Sequence, residues 1–490
     1  MNSANQPCCQ YKPGTCQNGQ RFLTLFLWVV GMLFLPGCAA VGPDYVRQEP
    51  QAPEEWHTAL QAGLAEGQAN PELLAHWWTV LNDAQLSALM EKAVEGNLEL
   101  KDAQSRILEA RALRGLSESR LFPTLDTGAS VSRSRSSESS STGTERNLYE
   151  AGFDAGWELD IFGGVKRSVE AAQASLEATE EKLNNLRVSL LAEVALNYVD
   201  VRTYQARLDV SRANISDQQK IYALNVSRYQ AGIIGELAVQ ESLRILESTR
   251  AQVPVLESGL NAAQNRLAVL LGTYPGNLHE VLSPHQPLPS LPEDIMVGIP
   301  AETLRHRPDV RSAERSLAAQ TARIGVATAD LYPKFRLFGS LGLEAVSAGD
   351  LVRSSSQTWG VGSGLSWTLF DAGAIRRNIQ IQNARQEQAL IAYERTVLDA
   401  LEEVENALNA YGQEQQHQAF ITKATVAAER AAELANDQYQ AGLVAFNNVL
   451  DARRSLLTLQ DEQVKSNGNI IANLVRLYKA LGGGWNPVEE

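Results

Sequence analysis

The chain has 490 residues, 44% hydrophobic and 20% charged, with a formal net charge of −14 at pH 7. This length can bury a sizeable core, and the composition is that of an ordinary globular protein. The acidic balance excludes attraction to nucleic-acid backbone or anionic lipid as the main activity, so no nucleic-acid partner is expected.

In chain order, the first feature is FLTLFLWVVGMLFL at 22–35, preceded by Arg21. It is too short for a comfortable transmembrane helix. It ends in Leu35-Pro36-Gly37-Cys38, which resembles the bacterial lipobox. That resemblance implies a lipoprotein signal peptide over 1–37 and covalent lipid on Cys38. Ala39 follows, with no Asp of the kind that retains such lipoproteins at the inner membrane. An ordinary signal peptide ahead of a chance cysteine is the competing reading. Cys8, Cys9 and Cys16 fall in the leader, so Cys38 would stand alone in the mature chain and no disulfide could form within it.

Beyond the segment 38–96, the chain repeats itself at a constant offset. Gly115 matches Gly325, Pro123 matches Pro333, Trp157 matches Trp367, and YQA-G at 229–232 recurs at 439–442, all 210 residues apart. A constant offset without net insertion means two copies of one supersecondary unit. The copies are 97–271 and 308–485, separated by the Pro-rich stretch 272–307 and followed by a tail, 486–490.

Each copy opens on a helical pattern, 97–120 and 308–330. Pro308 suits a first turn, where its missing N–H costs nothing. Two strands follow, 124–133 with 148–160, then 334–346 with 357–369, each pair joined by a Ser-rich loop. Tyr149, Ala151, Phe153, Ala155, Trp157 and Leu159 alternate with Glu150, Gly152, Asp154, Gly156 and Glu158, and the second copy keeps the register with Trp359, Val361, Leu365, Trp367 and Leu369. This is the period of a strand between two different environments.

Next come proline-free helical stretches, 165–228 and 375–438, each reaching roughly 95 Å at the helical rise. Val194, Val201, Leu208, Ile215, Tyr222 and Tyr229 recur every seventh residue in the first. Leu390, Val397, Leu401, Val404, Leu408 and Tyr411 follow three-and-four spacing in the second. Both patterns predict coiled-coil packing. The glycine of each YQAG ends the helix, and a single helix is expected to return over 236–271 and 446–481.

Four strands cannot close a membrane barrel, and an open edge cannot exist in lipid. A conducting duct therefore favours three or more chains, three giving twelve strands, with the apolar odd face toward lipid and Glu150, Asp154 and Glu158 toward water. A soluble hairpin on a core would show the same alternation, but helices of such length in a chain with a lipobox fit it poorly. The fold class expected is a mixed α/β membrane protein of two tandem repeats. A transmembrane β-barrel would be continuous with a long α-helical coiled-coil barrel.

The chain resembles the outer-membrane factors of bacterial tripartite efflux and type I secretion systems, the TolC-like family, and within it the lipoprotein branch of OprM and NodT type. GPDY (42–45), HWWTVLNDAQLSALMEKAVEGNLEL (76–100), FDAGWELDIFGG (153–164), LRHRPDVRSAE (304–314), LYPKF (331–335), WTLFDAG (367–373) and LYKALGGGW (477–485) carry the resemblance. Thr368 stands where the family often has Pro. The resemblance implies a homotrimer with a twelve-stranded barrel in the outer membrane and a helical tunnel in the periplasm. Its partners would be outer-membrane lipid, a periplasmic adaptor (membrane fusion) protein and an inner-membrane RND-type transporter.

The YQAG turns would then be the periplasmic tips, with Ala231, Gly232, Ala441, Gly442 and Leu443 as candidate adaptor contacts. Small residues there let a partner helix approach the backbone. The gate would lie just past the second tip, at Asn448, Asp451 and Arg454. Asp451 and Arg454 are three apart on one helix face, able to pair across a pore. A solvated surface pair of little energetic worth is the alternative.

An enzyme has little support. LRHRPDVRSAE is the only stretch that looks catalytic, and it reads better as a helix start with Asp309 at the positive end of the dipole. No metal or cofactor is implied beyond the lipid on Cys38. The function expected is the outer-membrane channel of a tripartite efflux pump exporting small toxic compounds. The alternative is a structural coiled-coil lipoprotein or adhesin without a conduit.

Overall fold

A computed structural model describes residues 40–47, 52–61, 63–67, 71–139, 143–292 and 295–486. Cys38 and the leader 1–37 lie outside the described residues, as does most of the tail 486–490. The chain divides into two units, one holding 124–164 and 328–368 and the other holding 42–123, 165–327 and the remainder from 369.

The first unit is a sheet of strands β2 (Thr124–Arg135), β3 (Glu145–Leu159), β5 (Lys334–Ala345) and β6 (Gln357–Ser366), in the order β2-β3-β5-β6, all antiparallel. β2 and β5 are offset by 210 residues at both ends. β6 stops at Ser366, short of the expected 369, because the segment beyond it has no strand to pair with.

The register sorts the two faces. Phe153 lies opposite Thr127 and Leu341, with Trp359 beyond, while Trp157 lies opposite Leu337. On the other face, Asp126 pairs with Asp154 and Glu150 with Glu344. Like charges directly opposite one another are unfavourable, so this face is built for water rather than for a core. Large apolar residues on the first face are exposed, among them Phe153, Leu341, Trp359, Val361 and Leu365. Among the described residues, the strands β2 and β6 each leave one edge unpaired.

The second unit is helical. In chain order it holds α1 (Pro71–Ala75), α2 (Ala84–Gly96), α3 (Leu98–Ser119), α4 (Gly164–Gln230), α5 (Glu236–Arg250), α6 (Gln252–Leu270), α7 (His279–Leu282), α8 (Pro300–His306), α9 (Pro308–Ala329), α10 (Ala374–Gln440) and α11 (Phe446–Ala480). It also contains a short parallel pair, β1 (Leu64–Glu66) with β4 (Ile295–Val297). Asp83 and Asn97 start α2 and α3 by accepting hydrogen bonds from the Leu86 and Leu100 amides at 2.9 and 3.0 Å. Among the described residues no helix is long and apolar enough to cross a membrane.

α4 and α10 each have 67 residues, again 210 apart at both ends. Each spans roughly 100 Å. Their amphipathic faces bury Leu191, Val194, Tyr198, Leu408 and Tyr411 in one core with Trp77, Leu86 and Met90.

Two expectations are corrected. The return over 236–271 is two helices, broken at Ala251. Continuing the helix would drive the Pro254 ring into the Arg250 carbonyl, so α6 restarts with Pro254 in its first turn. Val464 holds the equivalent place in the second copy, and α11 runs unbroken.

The seven-residue row on α4 also leaves the core. Val194, Val201 and Leu208 are buried, but Ile215 and Tyr222 are half-buried and Tyr229 is exposed. A straight helix drifts by ~20° per heptad against a strict repeat of seven. The seam passes instead to Ser211, Gln218 and Asn225, a polar row also spaced by seven.

Candidate functional site

Both helical tips are built the same way. α4 ends at Gln230, and Gly232 takes φ +72°, its N–H bonding to Tyr229 O at 2.9 Å while Ile233 N–H reaches Arg228 O at 2.9 Å. α10 ends at Gln440, and Gly442 takes φ +76°, with Gly442 N–H to Tyr439 O at 3.0 Å and Leu443 N–H to Gln438 O at 2.9 Å. Each is a Schellman cap, which needs a left-handed residue that glycine supplies without strain. Every donor and acceptor in one turn is 210 residues from its counterpart in the other. Ala231, Gly232, Ala441, Gly442 and Leu443 are all exposed, Leu443 at 76% of its surface.

Beneath the turns, Phe446, Val449, Leu450 and Ile245 form a core with Ile221, Ala238 and Tyr439 packed on it. The Arg228 guanidinium sits 5.1 Å from the Tyr439 ring centre, and Tyr439 Oη donates to Asn225 Oδ1 at 3.4 Å. The tips of α4 and α10 are thus joined by a cation held over an aromatic face. Motif reading missed this contact, although both residues lie in or beside the YQAG signatures.

Asn448, Asp451 and Arg454 fall on the first turns of α11, and all three are exposed. Among the described residues neither Asp451 nor Arg454 has an ion-pair partner in the chain. Arg454 lines a cavity of about 360 Å³ with Arg244, Ser211, Asp461 and Lys465. Asp461 is held there by Arg207 at 2.7 and 3.2 Å and by Lys465 at 2.8 Å. Burial pushes its carboxyl up, but the two cations outweigh this and hold it below the usual carboxylate range.

LRHRPDVRSAE proves to be a structural knot. Arg307 is nearly buried and grips Asp309 at 3.1 and 2.7 Å, Glu403 at 2.7 Å and the Ala480 carbonyl at 2.6 Å. Lys479 reaches Glu403 at 2.9 Å. One guanidinium therefore ties the start of α9 to α10 and the end of α11. Asp309 also accepts the Val310 amide at 2.9 Å, the helix-start role expected of it. His306 is half-buried, and burial lowers its pKa.

GPDY docks the N-terminal segment. Asp44 pairs with Arg167 at 2.5 Å, and Tyr45 Oη donates to Glu314 at 2.7 Å. Among the described residues no cluster of His, Cys, Asp and Glu could hold a metal ion.

Comparison with known proteins follows the same division. The family profile described as outer membrane efflux protein matches residues 89–273 and 299–483, the two repeats. Nodulation protein T of Rhizobium leguminosarum bv. trifolii is 30% identical over 464 residues, covering 94% of this chain and 97% of that one. The toluene efflux pump outer membrane protein TtgI of Pseudomonas putida is 30% identical over 462 residues, covering 93% and 97%. The solved outer-membrane channel OprN superposes with a TM-score of 0.86 at 35% identity, covering 92% of this chain and all of that one. TtgI is thus an efflux-pump component and OprN an outer-membrane channel.

Proposed function

The chain belongs to the outer membrane efflux protein family, and from that premise we propose how it builds its conduit. It is an outer-membrane efflux channel component that spans into the periplasm, and its export of small toxic compounds is the function we assign. Three copies close their sheets into a twelve-stranded barrel whose apolar odd face meets lipid. The paired helices α4 with α5 and α6, and α10 with α11, continue the wall as a periplasmic duct. Lipid on Cys38 anchors the mature N-terminus to the outer membrane.

The exposed caps at Ala231–Gly232 and Ala441–Gly442–Leu443 are the docking points for a periplasmic adaptor, which links the duct to an inner-membrane RND-type transporter. Asn448, Asp451 and Arg454 close the entrance by pairing between copies. The observation that carries this reading is the sheet itself. It has two unpaired edges, an exposed apolar face, and an opposite face where Asp126 meets Asp154 and Glu150 meets Glu344. A coiled-coil spacer or adhesin has no use for such a sheet, and kinship with TtgI and OprN gives that alternative no support.

The test is accumulation. Cells lacking the gene should retain several-fold more of a fluorescent toxic solute, and the intact gene should restore export. Unchanged retention across chemically diverse compounds would overturn the efflux reading.

A further inference from the structure

The two repeats converge on one cavity. The space of about 360 Å³ beside Arg454 is walled by α4, by α5 with the start of α6, and by α11. Arg244 of α5 and Arg454 of α11 both line it, and they are repeat counterparts, 210 residues apart. One turn further on, Ser248 and Thr458 line it at the same offset. Residues four apart share a helix face, so each repeat turns the same guanidinium and the same kind of hydroxyl toward one space. α4 leaves the room, because Val210 and Ser211 stand where the second repeat has the bulkier Phe420 and Ile421.

The charges in the wall do not balance. Its two carboxylates are answered, Asp461 by Arg207 at 2.7 Å and Lys465 at 2.8 Å, and Glu462 by Lys465 at 3.8 Å. Arg244 and Arg454 are left over, since among the described residues neither has a carboxylate partner in the chain. Two like charges turned to one space repel each other. An anion between them reverses the sign of that interaction.

A second observation is independent of charge. Ser211 is 7% exposed, lines the cavity, and among the described residues its Oγ has no hydrogen-bond partner. A buried hydroxyl left unpaired is costly, and here it faces the space that the two guanidiniums share. Thr458 already donates to the Arg454 carbonyl at 3.1 Å, which leaves Ser211 and Ser248 as the hydroxyl donors.

We propose that this cavity binds a small, multiply charged oxyanion of the phosphate class, bridged by Arg244 and Arg454 and hydrogen-bonded by Ser211 and Ser248. Several oxygens on one centre can accept from two planar guanidinium forks at once, which a halide cannot do. The volume lies in the range of small-molecule sites, so the phosphate group can carry a small organic remainder or water. A guanidinium has five N–H donors, and Arg454 can therefore serve this cavity and the entrance together. The site is complete within one chain. Its failure would leave the conduit standing, and loss of the trimer would leave the site.

Calorimetric titration of the purified mature protein with inorganic phosphate, at constant ionic strength in chloride, tests it. One phosphate should bind per chain. Arg244→Gln and Arg454→Gln should each weaken binding at least tenfold, and Ser211→Ala should weaken it severalfold. Arg250→Gln is the control, because Arg250 lies on the same helix but outside the cavity wall, paired with Glu247 at 2.7 Å; it should bind as the parent does. In the unaltered protein, phosphate should also slow amide exchange severalfold over 244–252 and 454–462, a readout that does not depend on any variant folding.

Absence of saturable phosphate binding overturns the site. So does binding that survives both arginine substitutions, an equal loss with Arg250→Gln, or exchange protection that falls outside those two segments.

Discussion

Gly42 meets Gly325 so closely that a Cβ on Gly42 would lie 2.4 Å from the Gly325 Cα. Gly42 also holds φ +92°, so an L side chain there is strained as well as obstructed. Gly42→Ala should release the segment 42–47 from α9. The backbone term alone costs about 1–2 kcal/mol. Proteolysis of the purified protein should then cut this segment several-fold faster, with the helical core unchanged.

Arg202 is 1% exposed, yet among the described residues no carboxylate pairs with its guanidinium. It donates to Gln205 Oε1 at 2.6 Å, to the Pro284 carbonyl at 2.9 Å, to Gln286 Oε1 at 3.3 Å and to Gln85 Oε1. This one side chain ties the Pro-rich connection to α4 and α2. Arg202→Ala leaves the buried Gln205 Oε1 unpaired and removes the ties to Gln85, Pro284 and Gln286, and should cost about 1–3 kcal/mol. Arg202→Lys should recover only part, because one ammonium cannot serve the same fan of acceptors. Denaturant unfolding measures both.

Glu403 and Asp461 give the protein an acid-sensitive side. Burial pushes the Glu403 carboxyl up, but Arg307 and Lys479 prevail and hold it below its usual range, as Arg207 and Lys465 do for Asp461. A carboxylate depressed in the folded state contributes stability above its unfolded pKa and loses it as pH falls through the folded value. Stability should therefore decline from about pH 4 downward. Glu403→Gln should be less stable at pH 7 and show a shallower decline, read from unfolding midpoints across pH.

Gln218 is buried, and among the described residues neither its side-chain nitrogen nor its oxygen has a partner. Its counterpart in the second repeat is Ala428. An unpaired buried amide costs about 1–3 kcal/mol, so Gln218→Leu should raise the unfolding midpoint, whereas Gln218→Glu should lower it.

Gln218 also marks where the sequence stops being legible. The 210-residue offset carried the helices, the strands and both caps to within a few residues, because apolar period and glycine placement are local signals. Ser211, Gln218 and Asn225 were invisible as core because periodicity is read from apolar residues, and here the seam turns polar as the helix rotates past Leu208. Pro254 carried its own signal, and steric exclusion of the Arg250 carbonyl explains the break. Arg202 and Arg307 could not be placed from sequence, since beyond the nearby Gln205 and Asp309 their partners lie far along the chain in elements that only folding brings together. The tips were legible as tips. The partners proposed for Asp451 and Arg454 lie in other copies, beyond what one chain can display.

The central claim, that three copies form a conduit closed near Asp451 and Arg454, is tested most directly by mass and conductance. The purified mature protein should run as a trimer in detergent and form discrete channels in planar bilayers. Asp451→Ala or Arg454→Ala should raise the open fraction severalfold. A monomer without conductance would contradict the conduit, and channels indifferent to both substitutions would contradict the gate.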